Sequence, residues 1–192
     1  MTLWSQDRFT QAWDFATLAH HGQSYATPDP NVRMDYINHV GAVAMELMWA
    51  LAAADTEHDP DLALQCALLH DVLEDTPRTY AEVQAVFGTA VADGVQALTK
   101  NFELPKADQM ADSLARIRQQ PPAVWMVKLA DRINNLSEPP AHWTDERKRA
   151  YQAEAQVIHD QLHTAHPLLA ARLRERIAAY GRWLGSASPN TL

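Results

Sequence analysis

Residues 67–76, ALLHDVLEDT, constrain the fold of this chain more than any other stretch. The segment begins as an apolar helix face and then sets one imidazole and three carboxylates within six residues, from His70 to Asp75. Charged side chains are rarely buried unless they are paired or bound to a metal. An apolar run that leads straight into such a cluster therefore belongs at the edge of a core, beside a site. The adjacent His70 and Asp71 offer a nitrogen and an oxygen to one divalent cation. Glu74 follows His70 by four residues and Asp75 follows Asp71 by four, so on a helix each pair shares a face. The spacing sets two groups for a metal, with two acids one turn further on for proton transfer or for orienting water.

The surrounding chain reads as helix nearly throughout, which makes it all-α. Phe9, Ala12, Trp13, Ala16 and Ala19 recur at helical spacing and predict a first helix over residues 5–20, with Ser5 as its N-cap. Residues 23–33 include Pro28 and Pro30 and read as a loop. A long helix rich in Ala, Met, Leu and Val is expected over 34–54, with His39 in its first turns, followed by a turn over 55–60. A third helix over 62–74, capped by Asp59 or Asp61, carries the acid cluster. Thr79 and Glu82 have the spacing of a capping box, and Gly88 is a helix stop. Further helices are expected over 91–99, 107–119, 124–136, 144–164 and 167–184, separated by Pro121-Pro122 and Pro139-Pro140 among other breaks. No repeat, β pattern or linker stands out. Residues 1–185 are expected to form one domain, and the Ser/Pro/Asn-rich residues 186–192 a flexible tail.

A length of 192 residues with 47% apolar content allows one domain with a real core. The net charge of -8 argues against nonspecific binding to nucleic acid or to anionic membranes. It leaves room for a small phosphorylated ligand, because an acidic site can recruit a cation that then receives the phosphate. The single cysteine, Cys66, lies in the apolar run before His70 and reads as a small core residue. No apolar run approaches the ~18 residues of a membrane span, and the first residues lack the basic start and apolar core of a signal peptide. A cytoplasmic location is expected. Whether the chain forms a homo-oligomer stays open.

Three separated segments supply ligand-type side chains: Tyr36-Ile37-Asn38-His39, His70-Asp71, and Lys128-Leu129-Ala130-Asp131-Arg132. Two imidazoles and two carboxylates form a mixed N/O set that suits Mn, Fe, Co, Ni or Zn better than Ca or Mg. No thiol takes part, which argues against a structural zinc site. Four protein ligands leave positions for water and a phosphate oxygen, and a metal there would lower the pKa of water and polarise a phosphoryl group. Glu74 and Asp75 could orient the water and handle its proton. Taken singly, each piece has a plainer reading: His39 as a satisfied helix residue, and Asp131 as a buried acid paired with Arg132 or Lys128. His159 and His163, four apart, read as solvated surface rather than as a metal pair. The six tryptophans are spread along helices and read as core or interface anchors.

Taken in order, His39, His70-Asp71 and Asp131 resemble the signature of the HD superfamily of metal-dependent phosphohydrolases. More narrowly, the chain resembles the hydrolase domain of the Rel/Spo alarmone enzymes and the small alarmone hydrolases. The matching segments are Phe15-Ala16 to His21-Gly22-Gln23, Asp35 to His39, Ala67 to Thr76, Phe87-Gly88, Leu98-Thr99-Lys100, Val127 to Leu136, and Arg147 with Tyr151, in family order over about residues 9–155. The resemblance implies an all-α HD-domain helical bundle with a metal held between helices. It implies Mn2+, or another divalent transition metal, on His39, His70, Asp71 and Asp131, with Glu74 and Asp75 serving the attacking water. It places Asn135 near the ribose and metal, and Arg147 and Tyr151 on the phosphates, although the last two also fit a solvated helix face. Lys100 would help to neutralise phosphate. The implied reaction removes the 3′-pyrophosphate from a guanosine tetra- or pentaphosphate. No synthetase segment follows, so a hydrolase alone is expected.

Two features depart from the family. Its members usually carry an arginine shortly after the His-Gly-Gln segment, where it can stack on guanine; here Ser24-Tyr25-Ala26 stands there, and the loop to His39 is longer. Tyr25 can stack on a base without bringing that charge, and Arg33 could fold back from the loop. Asn134 stands where the family often has histidine. Guanine preference is therefore open, and an adenosine analogue with the same 3′-pyrophosphate is a second candidate substrate. Two other readings remain: an HD hydrolase of nucleoside monophosphates or dNTPs, and a nucleotide sensor without catalysis.

Overall fold

The computed structural model describes residues 4–29, 31–53 and 58–185. The expected tail over 186–192 and part of the 55–60 turn lie outside the described residues. Helix α1 spans Gln6–Ala19, and the Ser5 hydroxyl caps it by accepting from the Arg8 N–H. Where a loop was expected, two three-residue strands pair antiparallel: β1, Ser24–Ala26, and β2, Arg33–Asp35, with Tyr25 opposite Met34. Three residues are too few for an alternating pattern to emerge, and β2 is exposed at every position, so periodicity could not reveal the hairpin. Because 33–35 are extended, helix α2 starts later than the sequence suggests and runs Ile37–Ala53.

Helix α3 spans Pro60–Leu69, with Asp59 accepting from the Leu62 N–H at 3.0 Å. Asp61 instead ties α3 to α1, accepting from the Ser5 N–H at 2.6 Å and the Arg8 guanidinium at 3.0 Å. The expected continuous helix over 62–74 is broken at His70 and Asp71. The His70 ring bonds through Nδ1 to the Ala67 carbonyl, the acceptor that a continuing helix would give to the Asp71 N–H. Asp71 leaves the helical region at φ -103°, ψ 0°, and a single turn, α4, follows over Val72–Asp75. Asp75 still bonds back to the Asp71 carbonyl, so these two keep their one-turn relation.

Helix α5, Tyr80–Phe87, opens with the full Thr79–Glu82 capping box and stops at Gly88, whose φ of 85° favours glycine. Helix α6 spans Thr89–Leu98, α7 Lys106–Ile117 and α8 Pro122–Asn135. Helices α9, Asp145–Leu162, and α10, Pro167–Tyr180, end earlier than expected, each passing into a short 3-10 turn. Helices α2, α3 and α8 pack together at the centre, with α1 against α3 and α10 against α8. Leu47, Leu64, Leu68, Leu69, Leu129 and Ile133 fill the space between them. Helix α6 closes on α3 and α8 through Gly94: a Cβ there would stand 2.7 Å from Cys66 Sγ and 3.0 Å from Val124 Cγ2. Cys66 is buried and free, and burial pushes its thiol pKa up. No helix among the described residues is long and apolar enough to cross a membrane.

Candidate active site

The core helices deliver their polar ends to one place. His39 sits in the first turns of α2, His70 at the end of α3, Asp71 in the break before α4, and Asp131 on α8. His39, His70 and Asp131 are buried, and each offers one donor atom within 4.8 Å of the others. Asp71 joins them: its Oδ2 lies 2.9 Å from His70 Nε2 and 3.7 Å from His39 Nε2. Asp131 Oδ1 lies 3.5 Å from His39 Nε2 and 3.9 Å from His70 Nε2.

Each of these side chains is gripped from outside. His39 Nδ1 meets Asn134 Oδ1 at 2.8 Å, and His70 Nδ1 meets the Ala67 carbonyl at 2.8 Å. The Tyr36 hydroxyl donates to Asp71. Asp131 accepts from Asn135 at 2.5 Å and from the Lys128 ammonium at 3.1 Å. Both rings therefore turn Nε2 inward, and the buried His70 Nε2 forms no aligned hydrogen bond despite the carboxylate beside it. Donor atoms that converge without bonding one another fit a shared cation. Two imidazole nitrogens and two carboxylates suit a divalent transition metal, and outward hydrogen bonds from Nδ1 are the usual support of metal-ligating histidines.

The protein's own charges reflect the same crowding. Burial opposes the His70 imidazolium, but Asp71 and Asp131 override it and raise its pKa to about 9. Burial also opposes both carboxylates, yet His70 beside Asp71 and Lys128 beside Asp131 hold them below the usual carboxylate range. Burial and then Asp71 push the Tyr36 phenol far up, so it stays a donor.

The two acids on α4 are held differently. Both oxygens of Glu74 are engaged by one residue: the Lys100 ammonium at 2.6 Å and the Lys100 backbone N–H at 2.9 Å. Asp75 opens onto the cleft, and desolvation followed by the Asp71 charge raises its pKa. Its carbonyl accepts from Gln23 Nε2 at 2.7 Å, and Gln23 is itself fixed by His20 at 2.8 Å. The His-Gly-Gln segment thus anchors the acid-bearing turn.

His39, Asp71 and Asp131 line the floor of a cleft of about 870 Å³, with His70 buried beside it. One wall is the hairpin with Tyr25 and Met34; the other includes Asn135, Trp143, Arg147 and Tyr151. Tyr25 is braced by Asn38, which donates to its hydroxyl at 2.8 Å. Arg33 does fold back, but onto Ser24 at 2.8 and 2.6 Å, and it does not line the cleft. Arg147 lies over the Trp143 ring at 4.1 Å. Arg132, paired with Glu154 at 2.5 Å, covers the face of Tyr151 at 4.3 Å. Lys106 and Trp143 line the cleft without having stood out in the sequence, because a single lysine or tryptophan on a helical pattern carries no motif. The contacts of Asn134 with His39 and of Tyr36 with Asp71 were equally hidden, since the partners lie 95 and 35 positions apart. His159 and His163 stack at 5.7 Å beside Asp160 and take no part in the cleft.

The HD domain family matches residues 12–168. The guanosine-3′,5′-bis(diphosphate) 3′-pyrophosphohydrolase MESH1 of Danio rerio is 31% identical over 166 residues, which cover 84% of this chain and 88% of that protein. The bifunctional (p)ppGpp synthase/hydrolase SpoT of Escherichia coli K12 is 32% identical over 162 residues, covering 81% of this chain but 21% of that longer protein. A solved structure of a metazoan ortholog of SpoT, described as hydrolysing ppGpp, superposes with a TM-score of 0.78 at 27% identity and covers 94% of this chain and 99% of that one. The chain is a hydrolase of the HD-domain family, allied to the Rel/Spo alarmone hydrolases.

Proposed function

We infer that the protein removes the 3′-pyrophosphate from guanosine tetra- or pentaphosphate, with Mn2+ as its metal. The observation that carries this reading is the convergence of His39, His70, Asp71 and Asp131 beside a cleft whose walls offer aromatic and cationic side chains. The relatives named for ppGpp hydrolysis support the substrate. A divalent metal held by these four residues would polarise the phosphoryl group and lower the pKa of water.

The chain's own residues do the rest. Asp75, open to the cleft, takes the proton of the attacking water. Glu74, clamped by Lys100, holds the acid turn in place and engages Lys100 as its counterion. Water adds to the phosphorus attached to O3′, the P–O3′ bond breaks, pyrophosphate leaves, and the proton that Asp75 took passes to O3′ to give the 3′-hydroxyl. Arg147, Tyr151 and Lys106 hold the phosphates, Asn135 lies on the sugar side, and Tyr25 stacks on the base.

The adenosine analogue has a specific observation in its favour. Tyr25 is uncharged, and Arg33 is spent on Ser24 away from the cleft, so no guanidinium from the hairpin reaches the base. Mn-dependent pyrophosphate release from guanosine and adenosine 3′-pyrophosphates, assayed side by side, distinguishes the two. Turnover of nucleoside monophosphates or dNTPs alone would overturn the whole reading, and binding without turnover would indicate a sensor.

A further inference from the structure

We propose that Asn134 is a positioning residue that fixes the tautomer of His39 and thereby prepares the metal site. The proposal rests on the metal reading above and adds to it a cause for the state of one ligand. A neutral imidazole carries a single N–H, so whichever nitrogen donates leaves the other with a free lone pair. Asn134 Oδ1 stands 2.8 Å from His39 Nδ1, and because an amide oxygen can only accept, it calls for the ring proton on Nδ1. Nε2, which faces Asp131 at 3.5 Å and Asp71 at 3.7 Å, is then the atom with the lone pair. The reverse amide orientation would set an NH2 against Nδ1, move the ring proton to Nε2, and aim it at the cation.

Asparagine suits this place because it selects without charge. The cluster already holds two carboxylates, Asp71 before α4 and Asp131 on α8, and another acid would add to their repulsion. The contact also spans the structure: His39 is on α2 and Asn134 on α8, 95 positions apart. Its neighbour Asn135 grips Asp131 on the same helix at 2.5 Å. Consecutive amides thus hold two different ligand-type residues, one on each of two core helices.

The test uses the full chain, stripped with a chelator and titrated with Mn2+ by calorimetry. Outer partners of metal ligands are worth about 10- to 100-fold in affinity. Asn134→Leu, which removes the acceptor from a half-buried position, is expected to weaken Mn2+ binding by that factor while the metal-free unfolding midpoint stays near wild type. Asn134→Ser, too short to reach the ring, repeats the measurement if the leucine variant does not fold. Asn134→Asp keeps an acceptor oxygen and is expected to bind Mn2+ at least as well as wild type. Unchanged affinity in the leucine or serine variant, or equal losses in all three, overturns the proposal. A folded wild type that binds no Mn2+ overturns the metal reading itself, and the proposal with it.

Discussion

The seat of Gly94 against Cys66 and Val124 makes a sharp test of the packing that holds the site together. Gly94 lies within α6, where glycine costs about 1 kcal/mol relative to alanine. On propensity alone, Gly94→Ala would therefore stabilise. The structure reverses the sign. The new methyl would stand 2.7 Å from Cys66 Sγ and 3.0 Å from Val124 Cγ2, both short of ordinary contact. The sulfur is fully buried, and the β-branched valine has little freedom at χ1. Overpacking of this kind costs about 1–3 kcal/mol, so the net loss is up to about 2 kcal/mol. That corresponds to a drop in Tm of up to roughly 8 °C for a chain of this size. Cys66→Ala removes the sulfur and opens the space the methyl needs. In that background Gly94→Ala becomes neutral or stabilising, leaving a coupling of about 1–2 kcal/mol, within the range for residues in contact. Urea and thermal unfolding of the four proteins in this cycle measure it. If Gly94→Ala has the same effect with and without the sulfur, to within about 0.5 kcal/mol, the account of α6 against α3 is wrong.

Three more outcomes follow from the site and its supports. Asp75→Asn is expected to keep metal affinity and lower kcat by about 10²–10⁴-fold, whereas Lys100→Met, which removes the ammonium but leaves the backbone N–H on Glu74, acts through mobility of the acid turn; pre-steady-state pyrophosphate release with Mn2+ titrations separates them. Arg147→Ala should raise KM for a 3′-pyrophosphate by about tenfold, the equivalent of roughly 1.4 kcal/mol, with little change in kcat; an effect confined to kcat would refute its place on the phosphates. The capping box gives a pH signature. Hydrogen bonds from Thr79 and Arg78 lower the folded pKa of Glu82, so its contribution is present above the unfolded value near 4.3 and fades as pH falls through the lowered folded value. Wild type should exceed Glu82→Gln in unfolding midpoint at pH 6, and the gap should close towards pH 3.

Local features of the fold were legible where the chemistry is local. Ser5, Asp59, Thr79 with Glu82, and Gly88 each act within one turn, and each does in the structure what its residue type predicts. The ligand-type residues were legible for another reason: their order and spacing match a family pattern, and the fold brings them together. What stayed hidden was either too short or too distant. The hairpin has three residues per strand, and β2 is exposed throughout, so no alternation could announce it. The break at His70 depends on a side chain taking a backbone acceptor, which periodicity does not see. The Lys100 clamp on Glu74 spans 26 positions and the Asn134 contact with His39 spans 95. Lys100, expected from the sequence to help neutralise phosphate, lines the cleft and also pairs with Glu74.

The cleft draws its floor and its walls from different kinds of structure. The floor is made by ends of core helices, where an exchange at His70 or Asp131 disturbs buried neighbours. The walls are a surface hairpin and the exposed segment around residues 137–143, where substitutions away from buried contacts usually shift stability by less than about 0.5 kcal/mol. On the proposed reading, a change at Tyr25 or in the hairpin's length would retune base preference with no repacking of Val40, Leu69 or Ala130 beneath. A lineage built this way inherits its bond-breaking chemistry as a fixed asset and its choice of cargo as a variable one.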